Sequence, residues 1–92
     1  MERVKIFVKA NCPRCPAAKE IGNALKSEGI SVVHYDLDTI EGLAEASFHS
    51  ILATPSFIVE DEEEREVASW RGVVPTLHEL KQHLSATRHS FP

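Results

Sequence analysis

The sequence contains two cysteines, Cys12 and Cys15, with Pro13 and Arg14 between them. Thiols at this spacing can close a disulfide, hold a soft metal ion, or exchange electrons with another disulfide. The loop that a Cys12–Cys15 bond would close is tiny. Disulfide stabilisation shrinks with the loop, so a structural staple explains the pair poorly. Exchange requires a thiolate, and an ordinary cysteine is mostly protonated at neutral pH. Lys9 and Arg14 supply positive charge nearby, and a helix starting at Pro13 would add the favourable potential of its N-terminus. The expected roles follow: Cys12 attacks a substrate disulfide, and Cys15, one turn on and deeper, resolves the mixed disulfide. Pro13 limits the flexibility of the turn. The alternative is a metal-binding, metal-delivery or iron–sulfur-cluster carrier module using the same C-x-x-C. Against it, His34, His49, His78, His83 and His89 are scattered, and no second C-x-x-C accompanies the first. His34 is expected in a strand, and the other histidines on helix surfaces or in the tail, solvated.

The pair needs a strand before it and a helix after it, and the flanking pattern predicts both. Val4, Ile6 and Val8 alternate with Lys5, Phe7 and Lys9, which reads as a strand with two partly apolar faces. Ala17, Ala18, Ile21, Ala24 and Leu25 then recur at helical spacing, and Gly29 suits the C-terminal end. Residues 30–37 are β-branched and predict a second strand, parallel to the first through a right-handed crossover. Asp38 and Thr39 offer cap chemistry for a helix to about Ser50, with Leu43, Phe48, Ile51 and Leu52 as its apolar side. Thr54-Pro55 precedes a short strand from Ser56 to Glu60. Asp61 to Glu64 form a solvated acidic turn, Glu66 to Arg71 a fourth strand, and Gly72 ends it. Pro75 and Thr76 open a final helix with a Leu77, Leu80, Leu84 stripe. The expected class is α/β, in the order βαβαββα, with a four-stranded mixed sheet flanked by three helices.

A chain of 92 residues fits one domain, here 1–86, with 87–92 expected to fray. Hydrophobic content of 42% and charged content of 26% are ordinary for a globular protein. A net charge of -4 argues against a nucleic-acid partner. No apolar run approaches a membrane span, and no secretory leader is evident, so a cytoplasmic monomer is expected. No cofactor is expected beyond the redox-active pair, with glutathione as a conceivable co-substrate.

The order and spacing of these elements resemble the thioredoxin superfamily, and within it the glutaredoxin-like redoxins, over residues 3–85. The resemblance rests on the strand ending in Lys9-Ala10-Asn11-Cys12-Pro13-Arg14-Cys15, on Thr54-Pro55 before the hairpin, and on Gly72 after the last strand. Local sequence favours a trans Thr54–Pro55 bond opening an edge strand; the resemblance implies cis instead. It also implies that Thr54 and Pro55 orient an extended substrate and that Trp70, Arg71 and Gly72 lie near a reductase or substrate contact. Trp70 suits a core position equally well. Lys9 is similar to the basic residue that glutaredoxins turn towards glutathione. Thr76 and Leu77, however, stand where those proteins carry acids. Trp70-Arg71-Gly72-Val73-Val74-Pro75 is partly similar to a stretch of the NrdH-type redoxins, which thioredoxin reductase recharges. Implied partners are disulfide-containing proteins and a reductant, either thioredoxin reductase or glutathione. Classical thioredoxin carries a buried Asp where Ile6 stands, so the residues name no base for Cys15.

Overall fold

The computed structural model describes residues 2–84; the expected fraying segment, 87–92, lies outside them. Strand β1 (Arg3–Val8) is followed by α1 (Cys15–Ser27), β2 (Val32–Asp36), α2 (Ile40–Phe48), β3 (Ser56–Glu60), β4 (Glu66–Arg71) and α3 (Leu77–Lys81). The sheet order is β2-β1-β3-β4, with β1 parallel to β2 and antiparallel to β3, and β3 antiparallel to β4. This is the expected mixed α/β architecture.

Alternation along β1 divides the core. Val4, Ile6 and Val8 pack with Ala18 and Leu25 of α1 and with Leu80 and Leu84, which places α1 and α3 on one face. Phe7 packs with Ala46, Ile51 and Ile58 beneath α2 on the other. Both long helices end in the same way. Gly29 (φ +83°) and Ser50 (φ +57°) adopt left-handed conformations. The next amide then reaches back to a carbonyl of the last turn, Ile30 N–H to Leu25 and Ile51 N–H to Ala46. Helix α3 opens on a reciprocal cap: Thr76 Oγ1 accepts from the Glu79 N–H, and the Glu79 carboxylate accepts from the Thr76 N–H. In the acidic turn, Asp61 accepts from the backbone N–H groups of Glu63 and Arg65 and from the Arg65 guanidinium. Those bonds, the Arg65 amide first, hold its carboxyl below the usual carboxylate range.

Three expectations about the helices need correction. Leu43, Phe48 and Leu52 are exposed, and of the expected apolar side only Ile51 is buried. Helix α2 meets the sheet through Gly42 and Ala46 instead. A Cβ at Gly42 would run into the Asp36 carbonyl group, so close approach by small residues turns the large ones outward. On α1, Ala17 is exposed and Gly22 is buried. His49 is not solvated: its side chain is 7% exposed and lies in a charged cluster.

That cluster sits under α2. Lys5 Nζ lies 2.9 Å from Glu60 Oε2, 2.6 Å from Glu45 Oε2 and 3.2 Å from His49 Nε2. Lys5 and Glu60 are only 6% and 3% exposed. Burial alone would lower the Lys5 pKa, but hydrogen bonds and charge from Glu45 and Glu60 outweigh it and hold it above its ordinary value. The Lys5 hydrogen bond correspondingly lowers Glu45. Removing one member of a buried pair strands the other charge, which costs about 3–5 kcal/mol. Lys5→Met is therefore expected to lower unfolding free energy by about that amount. The double variant Lys5→Met, Glu60→Met is expected to recover much of it, as measured by chemical denaturation. A depressed Glu45 contributes stability that is complete above its ordinary pKa of 4.5 and is lost as pH falls through its lower folded value. The melting temperatures of wild type and Glu45→Gln are thus expected to differ at neutral pH and converge in acid.

Candidate redox site

β1 delivers its chain to solvent at Lys9, and Ala10 N–H donates to Asp38 Oδ2 at 3.0 Å, tying this loop to the end of β2. Helix α1 starts at Cys15 with a proline in its first turn and Arg14 at the capping position, where the arginine side chain makes no cap. The missing N–H of that proline costs the helix nothing there. Cys15 N–H donates to the Cys12 carbonyl at 3.2 Å, closing the turn. The two sulfurs are bonded, with Cα atoms 5.3 Å apart. Cys15 is 2% exposed, whereas Cys12 is half-buried at the edge of the core. An external thiol or disulfide therefore meets Cys12 first.

Arg14 has a specific partner. Its Nη2 donates to the Gly72 carbonyl at 2.9 Å, across 58 positions of sequence. Gly72 N–H in turn donates to the Pro55 carbonyl at 2.9 Å and to Ser56 Oγ at 3.2 Å. Arg14, Gly72 and Pro55 thus form one hydrogen-bonded chain. The Thr54–Pro55 peptide is cis, Pro55 is buried, and Thr54 is half-buried. Among the described residues, nothing hydrogen-bonds to the Thr54 backbone.

Behind the disulfide lies a groove of about 250 Å³ lined by Val8, Lys9, Ala10, Cys12, Cys15, Pro16, Lys19 and Asp36. Lys9 is the one expected charge-tuning residue on its wall, since the Arg14 guanidinium is engaged with Gly72. Trp70 packs on the core shared with α1 and α3 and meets His83 edge-on, ring centroids 5.5 Å apart. Arg71 Nη1 donates to the carbonyls of His49 and Ser50. Trp70 thus packs on the same core cluster as Cys15 and Cys12, Arg71 is turned to the end of α2, and Gly72 is hydrogen-bonded to Arg14. Lys19 and Asp36 were not indicated by any motif. The available signal is topological, because open α/β sheets place their sites at the carboxyl ends of parallel strands, here β1 and β2. Among the described residues, no group of three or more His, Cys, Asp or Glu side chains could hold a metal ion.

A half-exposed and a buried thiol, joined at a helix start, form a two-electron dithiol–disulfide couple. The thioredoxin-domain family model matches residues 2–85, and the chain belongs to that family. It is 34% identical over 62 residues to a protein of Archaeoglobus fulgidus described as a probable thioredoxin, covering 66% of this chain and 68% of that one. The fold is similar to the reduced thioredoxin pre-protein of Schistosoma mansoni (TM-score 0.74, 20% identity, 94% of this chain and 78% of that one). It is similar also to thioredoxin f of spinach chloroplast (TM-score 0.73, 20% identity, 95% and 76%). This is a thioredoxin-family redox protein.

Gly72 has φ +77°, and a Cβ there would sit 3.3 Å from the Ala53 Cβ. Gly72→Val is expected to destabilise the fold by more than about 1 kcal/mol, because a β-branched residue is strained in the left-handed region. Gly72→Asn, which tolerates that region, is expected to cost less on the same denaturation curve.

Proposed function

We propose that this protein reduces disulfides in other proteins, with Cys12 as nucleophile and Cys15 as resolving thiol. The observation that carries this reading is the unequal exposure of the two cysteines, Cys15 being 2% exposed and Cys12 half-buried. The Cys12 thiolate attacks one sulfur of the substrate disulfide, and the other sulfur leaves as a thiolate. Cys15 then attacks the Cys12 sulfur, the mixed disulfide breaks, and the second substrate thiolate departs. The substrate gains two electrons, and the protein ends as the Cys12–Cys15 disulfide. Thr54 offers the incoming chain an unpaired N–H and carbonyl, so an extended peptide can add to the site by main-chain hydrogen bonds.

The electrons that restore the dithiol come, in this reading, from a thioredoxin-reductase-type enzyme rather than from glutathione. The start of α3 supports it. Glutaredoxins, which the Lys9 segment resembles, present acids there to the glutathione amino group. Here Thr76 and Leu77 occupy those positions, and the nearest acid, Glu79, is committed to the Thr76 cap. A coupled assay with insulin as substrate is expected to turn over faster with thioredoxin reductase and NADPH than with glutathione and glutathione reductase. Faster turnover with glutathione would reverse the assignment of reductant.

The roles of the two thiols are tested separately. Cys12→Ser is expected to abolish insulin reduction, and Cys15→Ser to accumulate a covalent mixed disulfide visible on a non-reducing gel. Alkylation of Cys12 in the reduced protein is expected to half-titrate well below the ~8.5 of a free cysteine. The helix start and the charge of Lys9 and Arg14 favour its thiolate. An unshifted titration would remove Cys12 from the nucleophile role.

A further inference from the structure

The mechanism above leaves one proton without an acceptor. Cys15 is 2% exposed, and Ile6, on the strand that leads to the pair, offers no base. Asp36 ends β2 in parallel register with Val8. Parallel partners point to the same face of a sheet, and Val8 belongs to the core on the α1 side. The next residue, Leu37, packs on the opposite core, as alternation requires. Asp36 therefore stands on the α1 side of the sheet, exposed, on the wall of the same 250 Å³ groove as Cys15. At about 30 Å³ per molecule, that groove admits several waters.

We propose that Asp36 accepts the Cys15 proton, through water in this groove, as Cys15 attacks the mixed disulfide. The inference rests on the dithiol reading given above. In the step, the Cys15 S–H gives its proton to the relay and its electron pair to the new bond with Cys12. The bond between Cys12 and the substrate breaks, and the substrate sulfur leaves with that pair. The proton resides on Asp36 until bulk water or the departing thiolate takes it. The other charged groups here are Lys9 from the loop after β1 and Lys19 from α1, both on the groove wall, and Asp38. His34 is two residues back on the same strand face. Burial, then Lys26 and Lys19, holds it below its ordinary pKa, and its buried Nε2 has no partner among the described residues. Lys9 and Lys19 are cations and cannot accept a proton. Asp38 accepts from Ala10 N–H and is not on the groove wall, whereas Asp36 lines it and accepts from Asp38 N–H through Oδ1 at 2.8 Å, which leaves its second oxygen without a hydrogen bond among the described residues.

The test is Asp36→Asn, which keeps an oxygen for the Asp38 N–H. Reduced protein is mixed with the aromatic disulfide dithiobis-nitrobenzoate in a stopped-flow instrument. The first thionitrobenzoate released reports Cys12 attack, and the second reports resolution by Cys15. At pH 7 the second phase is expected to slow about tenfold or more while the first changes less than about twofold, as loss of a general base predicts. The deficit is expected to shrink as pH rises, because hydroxide can then take the Cys15 proton in place of the carboxylate. A second phase within twofold of wild type, or an equal slowing of both phases with an unchanged pH profile, overturns the proposal. Absence of any first phase in wild type would instead overturn the dithiol reading itself. A second measurement needs no variant: the carboxyl-carbon NMR titration of Asp36 is expected to differ between oxidised and reduced protein. Identical titrations would also overturn it.

Discussion

β1 is the strand on which the rest of the structure depends. It is buried on both faces and lies between a parallel partner and an antiparallel one. That pairing is a geometric constraint with a chemical result. A parallel neighbour ends where β1 ends, an antiparallel neighbour begins there, and β4, antiparallel to β3, ends there again. Four chain segments separated by up to 58 positions therefore meet at one end of the sheet: Cys12 to Cys15, Asp36 to Asp38, Thr54-Pro55, and Gly72. Asp36 closes β2 and Cys15 opens α1, while Cys12, Asp38, Thr54-Pro55 and Gly72 lie in the loops that flank the strand ends. Short overhangs from a fixed sheet hold the site in place without burying it.

The strand that imposes this order also carries its largest electrostatic liability. Lys5 lies mid-strand on the α2 face, where its charge is tolerable only because Glu60, Glu45 and His49 converge on it. Those partners come from β3 and from α2 and its C-cap, so the ion cluster ties that helix to the sheet where apolar contact is thin. Arg71 extends the tie by bonding the His49 and Ser50 carbonyls just after α2. Charge is thus segregated. One face of the sheet carries the Lys5 ion cluster, and the redox end carries Lys9, Arg14 and Lys19 against Asp36 and Asp38. A formal net charge of -4 for the whole chain hides a local excess of positive charge where a thiolate must form.

Much of this was legible in the residues. Alternation in β1, the C-x-x-C at the strand-to-helix junction, Gly29 and Gly72 each predict a local conformation by a rule with a steric cause, and the element order followed from them. The failures have a cause too. Apolar spacing predicts which side of a helix is greasy, yet α2 approaches the sheet by Gly42 and Ala46 because a close backbone contact demands small residues. Leu43 and Phe48 are left outside. His49 and Glu60 read as surface residues from their types, since nothing local announces that Lys5, more than forty positions away, needs them. Successive residues of β4 face opposite sides, so Trp70 packs on the core that holds Cys15 while Arg71 turns to the end of α2. Gly72, just past the strand, reaches the turn between the cysteines through Arg14.

Arg14 shows how far local charge and long-range shape are fused at this site. As a cation between two thiols it favours the thiolate, a through-space effect that lysine would share. As a planar fork it also bonds the Gly72 carbonyl, whose amide bonds Pro55. Lysine would keep the charge but, as a flexible point donor, would hold that carbonyl less firmly. The active-site arginine is therefore part of the scaffold that places the Thr54–Pro55 edge beside Cys12. A substrate chain adding at that edge meets a wall whose position depends on the residue between the cysteines. In the proposed mechanism, nucleophile tuning and substrate alignment, separable in principle, would share one guanidinium.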